Sequence, residues 1–126
     1  EIDQIVFWMI EEATPRYALA RQLEAIRGFN LGYDVSRIVA PTLIVAGTND
    51  KTVPYENSEV LAEIIPNSRL VIFEGGSHFL FIEEASLFNR VVMDFLSEVD
   101  AGEFVAKQKR KIVVKAKTAE QQEEES

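Results

Sequence analysis

Two short apolar segments separated by a helical pattern constrain the fold of this chain more than any other feature. Thr42–Ala46 (TLIVA) is apolar at consecutive positions and rich in β-branched residues, which is typical of a strand buried on both faces of a parallel sheet. Arg69–Phe73 (RLVIF) is a second short strand. Between them, Tyr55–Ile65 has apolar residues at helical spacing, and Pro66 prevents its continuation. The order strand, helix, strand predicts a right-handed parallel crossover and therefore an α/β fold.

Further helices are predicted on both sides of this unit. Apolar residues recur at helical spacing over Ile2–Ile10. Thr14 and Pro15 form a start signal for a second helix, because Thr can cap free N–H groups and Pro is tolerated in the first turn, and Gly28 is a stop signal. A last helix is predicted over Glu84–Val99. Its apolar stripe comprises Phe88, Val91, Val92, Phe95, Leu96 and Val99.

Composition narrows the classes of protein to which the chain can belong. The 126 residues suffice for one domain, and the absence of cysteine excludes a disulfide framework, a cysteine metal site and a thiol nucleophile. Apolar runs such as Phe79–Ile82 are far shorter than the roughly 18 residues needed to cross a bilayer. We therefore expect a soluble, cytoplasmic protein.

Charge divides the chain into an acidic body and a mixed tail. Residues 1–106 have a net charge of minus 10, whereas residues 107–126 have a net charge of plus 2, with the basic side chains first and the acidic ones last. Clustered Lys and Arg side chains can bind nucleic acid or an anionic membrane, but the acidic body would repel a polyanion. We therefore predict that residues 100–126 form a charged, disordered tail, and that neither nucleic acid nor membrane is a partner.

Two polar residues follow the predicted strands at the sheet edge where parallel α/β proteins bind ligands. Asp50 lies three residues after Gly47, and His78, the only histidine, lies in the GGSH segment after the second strand. Each alone has an ordinary explanation, since Asp is common in turns and a single histidine is more often structural than catalytic. At the ends of adjacent parallel strands, however, a carboxylate can orient an imidazole and stabilise its protonated form. The pair therefore predicts the back half of a catalytic triad.

The segments around these two residues resemble a known family. PTLIVAGTNDKTVP (Pro41–Pro54) is similar to the penultimate strand and G-x-x-D-x-x-V-P acid loop of α/β hydrolases, and GGSHFLFIEEASLFN (Gly75–Asn89) is similar to their histidine loop and the start of their final helix. On this resemblance, Val35–Val99 is the C-terminal portion of that superfamily, of the serine esterase, lipase, lactonase and peptidase type. The resemblance implies that Asp50 is the triad acid and His78 the triad base. It implies no cofactor and no metal site.

The resemblance also implies a domain organisation. Glu83 matches a glutamate that is frequent five residues after the histidine, for which we expect a role in local loop structure, and Ala85 stands where many members have Pro. Residues 1–34 resemble the end of the helical cap that such enzymes insert over the site. The chain is thus divided into a cap remnant (1–34), a C-terminal α/β-hydrolase segment of two strands and two helices (35–99), and the tail (100–126).

The nucleophile expected for such an enzyme is missing. The family's chain order is nucleophile, acid, histidine, with the nucleophile on a G-x-S-x-G elbow, and no such elbow is present. Ser77 abuts the histidine but has the wrong chain order. The other serines that precede the histidine are Ser36, Ser58 and Ser68. Because the oxyanion hole also uses N–H groups near the nucleophile, the sequence predicts that the chain alone is inactive and that Glu1 is a cut end.

Two hypotheses for function follow. In the first, the chain is the C-terminal part of a hydrolase that acts on a small ester, lactone or amide. The first strand would then have an open edge, through which a complementary chain or a second copy would pair. In the second, the chain is a non-enzymatic interaction module on a degenerate hydrolase scaffold, which binds a partner through its apolar helices or its basic tail.

Overall fold

A computed structural model describes residues 14–106 and 111–115, which fall into two compact units, Glu1–Gly32 and Tyr33–Ser126. In the first unit, helix α1 spans Arg16–Gly28. It begins where the Pro15 carbonyl accepts hydrogen bonds from Ala18 and Leu19, and no side chain caps it. The helix predicted over residues 2–10 lies outside the described residues.

The second unit contains the predicted strand, helix and strand. After a 3-10 helix over Gly32–Arg37, β1 spans Thr42–Gly47, α2 spans Glu56–Ile64 and β2 spans Ser68–Glu74. The two strands pair in parallel, with Thr42 opposite Ser68 and Gly47 opposite Phe73. The α/β fold predicted from the sequence is confirmed.

Two consecutive helices follow β2 instead of one. Helix α3 is a single turn over Leu80–Glu83, and α4 spans Ala85–Asp100. Glu84 separates them and is buried, with 7% of its surface exposed. No helix among residues 14–106 and 111–115 is long and apolar enough to cross a membrane.

A third strand corrects the prediction for the tail. β3 spans Lys111–Lys115 and pairs in parallel with β2, so that the sheet order is β1-β2-β3. The predicted disorder of residues 100–126 is therefore wrong for this segment, and the sheet has three strands rather than two. Three consecutive β-branched residues, Ile112–Val114, suit a strand and satisfy the backbone groups along the second edge of β2. The many charged residues around Ile112–Val114 indicated a disordered tail and obscured this short strand signal.

Lys111 of β3 and Phe104, which follows the last helix, both contact charged side chains of other elements. Lys111 donates a hydrogen bond of 2.5 Å to Glu59 of α2, which raises the pKa of Lys111. Before β3, the ring of Phe104 lies 5.1 Å from the guanidinium of Arg69 on β2. Arg69 also forms a bidentate ion pair with Glu98 of α4, at 2.9 and 2.5 Å. Phe104 thus contacts an arginine that joins β2 to α4, and Lys111 joins β3 to α2.

The core consists of two clusters on opposite faces of the sheet. One packs α2 against β1 and β2, and the other packs α3 and α4 against the reverse face. The first contains Val35, Ile44, Ala46, Ala62, Ile65, Leu70 and Ile72. The second contains Val71, Phe73 and Leu80, with Leu43, Val45, Leu87, Phe88, Val91 and Val114 packed against it. Because neighbouring strand residues point to opposite faces, burial on both sides explains the unbroken apolar runs.

Candidate active site

The loops that follow β1 and β2 bring Asp50 and His78 together. The Asp50 Oδ2 atom lies 2.8 Å from His78 Nδ1, and the two residues are 28 positions apart in sequence. Parallel pairing ends with Gly47 opposite Phe73, so both loops leave the sheet at the same edge. The juxtaposition of these two side chains that we predicted from the sequence is present.

Hydrogen bonds join the two loops at their base. The Thr48 N–H donates to the Phe73 carbonyl at 3.0 Å, and the Asn49 N–H donates to the Gly76 carbonyl at 2.9 Å. The Gly75 N–H donates to Thr48 Oγ1 at 2.8 Å. The sheet pairing is therefore continued for two residues beyond β1 by contacts that run directly toward Asp50.

Two glycines allow the loops to approach this closely. A Cβ atom at Gly47 would lie 2.2 Å from the Gly76 carbonyl oxygen and 2.6 Å from its carbon, which no side chain can occupy. Gly75 has a φ of 83°, a left-handed conformation that favours glycine. The positive φ of Gly75 thus forms a turn at the start of the histidine loop, where that loop contacts the acid loop.

Asp50 uses its two carboxylate oxygens for different purposes. Oδ1 accepts hydrogen bonds from the N–H groups of Thr52 at 2.7 Å and Val53 at 2.8 Å, while Oδ2 contacts His78. The Val53 N–H is the largest cause of a lowered pKa of Asp50, burial opposes it, and the hydrogen bond to His78 lowers it further. The ordinary turn function and the function toward His78 therefore coexist in one side chain, and the carboxyl remains ionised at neutral pH.

The hydrogen bond to Asp50 orients the imidazole of His78. An ionised carboxylate can only accept, so Nδ1 carries the proton and donates it to Oδ2. In the neutral ring, Nε2 is then the basic nitrogen. The His78 side chain is 44% exposed and that of Asp50 only 12%. This arrangement can take a proton at Nε2 and stabilise the resulting imidazolium through the carboxylate behind it.

Ser77 and Glu83 support the histidine loop. Ser77 Oγ donates to Glu83 Oε2 at 2.7 Å and accepts a hydrogen bond from the Phe79 N–H at 3.0 Å. Glu83 thus contacts the residue beside His78, in line with the structural role expected for it. The Ser77 hydroxyl is bound to Glu83, and it has neither the elbow nor the chain order of a nucleophile.

The remaining serines have other surroundings. Ser68 is buried and donates to the carbonyls of Ala62 and Ile65, which satisfies the C-terminal end of α2. Ser36 belongs to the 3-10 helix. Ser58, in the first turn of α2, lines the cavity beside His78, but no hydrogen bond joins the two within the described part of the chain.

An open cavity of about 260 Å³ lies beside the pair of site residues. It is lined by Val45, Ala46, Gly47, Asp50, Val53, Ser58, His78, Leu80, Phe81 and Phe88. Val45 and Ala46 are consecutive strand residues whose side chains point to opposite faces, so a cavity that touches both runs along the edge of β1. Among the described residues, no strand pairs with that edge. The site residues therefore border a space that residues 14–106 and 111–115 leave open.

The sequence comparisons agree with this geometry. The family model for the alpha/beta hydrolase fold matches residues 4–85, which include both loops and both site residues. The chain belongs to the α/β-hydrolase family. The match ends before most of α4 and before β3, so the third strand lies beyond the part of this α/β hydrolase that the family model covers.

Named relatives match between about half and two thirds of the chain. The chain is 39% identical over 79 residues to RutD of Pseudomonas savastanoi pv. phaseolicola, a protein named for carbamate hydrolysis, and the match covers 63% of this chain and 30% of the relative. It is 45% identical over 67 residues to 2-hydroxy-6-oxononadienedioate/2-hydroxy-6-oxononatrienedioate hydrolase 2 of Pseudomonas putida, covering 53% and 23%. It is 38% identical over 68 residues to 2-hydroxymuconate semialdehyde hydrolase of Pseudomonas putida, a match that covers 54% of this chain and 24% of the relative. The chain thus spans less than a third of the length of these curated relatives.

Several features of the site were not evident from the sequence. No role was predicted for Thr48. Its position directly after the strand and two residues before Asp50 could have indicated one. Phe88 packs against the second core cluster as predicted and also lines the cavity, and Phe81, for which no role was predicted, lines it too. Among the described residues, no cluster of three or more His, Cys, Asp or Glu side chains could hold a metal ion.

The lowered pKa of Asp50 predicts how the loops respond to acid. Its native pKa lies below the unfolded value of 3.8, so its contribution to stability is fully present above about pH 4 and is lost as pH falls through the native pKa. We expect Asp50→Asn to lower stability at pH 7, and the difference from wild type to shrink as pH falls below 4. Urea unfolding at a series of pH values measures this. A difference that stays constant down to pH 2 would contradict the assigned hydrogen bonds.

Proposed function

We propose that this chain supplies the acid and the base of a nucleophile–histidine–acid triad in an α/β hydrolase. The single observation that carries the proposal is the hydrogen bond of 2.8 Å between His78 Nδ1 and Asp50 Oδ2 at the carboxyl ends of two parallel strands. The carboxylate is held by two backbone N–H groups, so its position does not depend on the histidine. This is the geometry that an acid and a base need in order to act as a unit.

In the proposed reaction, His78 moves protons and Asp50 does not. His78 Nε2 takes the proton of a hydroxyl nucleophile as that oxygen attacks the substrate carbonyl, and the Asp50 carboxylate stabilises the imidazolium. The imidazolium then protonates the leaving group, and a covalent acyl intermediate remains. A water molecule then attacks the acyl intermediate while Nε2 again accepts the proton. The imidazolium returns this proton to the nucleophile oxygen as the acid product is released.

A part of the protein outside this chain is proposed to supply the nucleophile and the oxyanion hole. The chain has no G-x-S-x-G elbow and spans less than a third of its curated relatives. The cavity along the β1 edge borders both site residues, which makes it the place where such a part would lie. A strand paired with β1 would also satisfy the backbone groups of that edge.

The open edge leads to a prediction about association. We expect the isolated chain to pair through β1 with a complementary polypeptide or, without one, with a second copy, because an unpaired apolar strand edge is prone to association. Sedimentation analysis in an ultracentrifuge measures this directly. A chain that sediments as a monomer and melts cooperatively would contradict the expectation.

The proposed substrate is a small ester, lactone or amide. The cavity lining is mainly apolar, with Asp50, Ser58 and His78 as its polar side chains, which suits a substrate with an apolar body and one reacting carbonyl group. One of the relatives is named for carbamate hydrolysis, so carbamates belong in the same screen.

A serine-directed fluorophosphonate probe tests the proposal. We expect no covalent labelling of this chain alone, and labelling of the nucleophile once the upstream part of the protein is added. Labelling of the chain alone, for example at Ser58 or Ser77, would contradict the claim that the nucleophile lies elsewhere. Absence of labelling in the assembled protein would instead favour the hypothesis of a non-enzymatic interaction module. The candidate binding surface is then α1, which has no buried side chain.

A further inference from the structure

We propose that Thr48 is a positioning residue that holds Asp50 and His78 at hydrogen-bonding distance. Within the described residues, two side-chain hydrogen bonds cross between the acid loop and the histidine loop. One is the Asp50–His78 bond itself, and the other joins Thr48 Oγ1 to the Gly75 N–H at 2.8 Å. The inference concerns the geometry of the pair, and only its consequence for turnover rests on the proposed function.

Thr48 is the first residue after β1, where the regular pairing of β1 with β2 has ended. Regular pairing ends with Gly47 opposite Phe73. The backbone N–H of Thr48 still donates to the Phe73 carbonyl, while its side chain reaches the first residue beyond β2, which is Gly75. One residue therefore contacts both the end of the neighbouring strand and the start of the histidine loop.

The hydroxyl oxygen of Thr48 accepts a hydrogen bond from Gly75, whose backbone conformation it restrains. Gly75 adopts a φ of 83°, and because glycine populates positive and negative φ about equally, the residue does not by itself hold this conformation. The Gly75 N–H belongs to the peptide plane between Glu74 and Gly75, and its hydrogen bond to Thr48 Oγ1 holds that plane in the observed orientation. His78 lies three residues further along, so rotation at Gly75 would move the imidazole relative to the carboxylate.

The acid side of the pair does not need this restraint. Asp50 is fixed by the Thr52 and Val53 N–H groups within its own loop. Ser77 and Glu83 fix the far side of the histidine loop. Thr48 thus provides a second side-chain link, besides the Asp50–His78 bond itself, between two loops that are each ordered internally. Its loss should change their separation more than their folds.

The experiment uses the single histidine of the full 126-residue chain. Ring ¹⁵N chemical shifts at about pH 9, where an ordinary imidazole is neutral, give the ratio of the Nδ1–H to the Nε2–H tautomer. In the wild type, the hydrogen bond to Asp50 should favour Nδ1–H. We expect Thr48→Val, which keeps the shape but removes the acceptor, to lower this ratio at least twofold, and Thr48→Ser to restore it. Asp50→Asn gives the reference for complete loss.

The outcomes are decisive for the inference. An unchanged ratio in Thr48→Val, or the same decrease in Thr48→Ser, would overturn it. If Thr48→Val does not fold, the temperature coefficient of the Gly75 amide proton in the wild type replaces it, and a value typical of a solvent-exposed amide would overturn the inference. Because these measurements need neither substrate nor nucleophile, their failure is separate from failure of the proposed function. In an assembled hydrolase, Thr48→Val should lower kcat about tenfold with KM unchanged.

Discussion

We expect His78→Ala to lower the turnover of the assembled hydrolase by about 10⁴-fold or more, because the substitution removes both the general base and the general acid. KM should change much less, since the imidazole acts on protons rather than on the bulk of the substrate. Steady-state kinetics with an activated ester measure both quantities. The large effect follows from one group that serves two steps of the same reaction.

A matched control separates loss of chemistry from loss of structure. Glu63 is exposed on α2, away from the cavity that His78 lines, and Glu63→Gln should retain the turnover of the wild type. Both variants should bind the complementary part equally well. If His78→Ala retains more than about a tenth of the activity, the role assigned to this histidine is wrong.

The second large effect is expected at a glycine rather than at a polar residue. Gly47→Ala would place a methyl group 2.2 Å from the Gly76 carbonyl oxygen, and because that atom is backbone, the two loops must separate. We expect a decrease in the free energy of unfolding of about 2–3 kcal/mol, the upper range for overpacking. Urea denaturation measures the change. Loss of the Nδ1–H tautomer of His78 should accompany it.

A second glycine offers the control for this substitution. No atom lies within 4 Å of a Cβ built on Gly28, at the end of α1. Gly28→Ala should therefore leave stability unchanged or raise it slightly, since it restricts only the unfolded chain. Equal stability of Gly47→Ala and Gly28→Ala would show that the loops do not meet as described.

The sequence predicted the elements whose signals are local. β1 and β2 were found because continuous β-branched runs mark strands buried on both faces, and Pro66 marked the end of the helix between them. The positions of Asp50 and His78 followed from the rule that parallel strands end at one edge. The resemblance to α/β hydrolases added their roles, which remain proposals for this chain.

The features that were missed depend on contacts distant in sequence. β3 lies in a segment whose many charged residues are typical of a disordered tail. Its strand conformation depends on pairing with β2 and on the contact of Lys111 with Glu59, which is 52 residues away in sequence. The bond from Gly75 to Thr48 spans 27 residues. No local pattern shows that a threonine hydroxyl meets a particular backbone N–H, or that Gly47 must lack a side chain because another loop passes beside it.

A chimera tests the central claim most directly. Residues 35–99 would replace the corresponding acid-loop and histidine-loop segment of the RutD protein of Pseudomonas savastanoi pv. phaseolicola. The rate of fluorophosphonate labelling would be measured, with the unaltered relative as reference. We predict that the folded chimera is labelled at its nucleophile, and that His78→Ala or Asp50→Ala lowers the rate at least 100-fold, about 3 kcal/mol in activation free energy. A folded chimera that is labelled at the same rate with and without His78 would contradict the account.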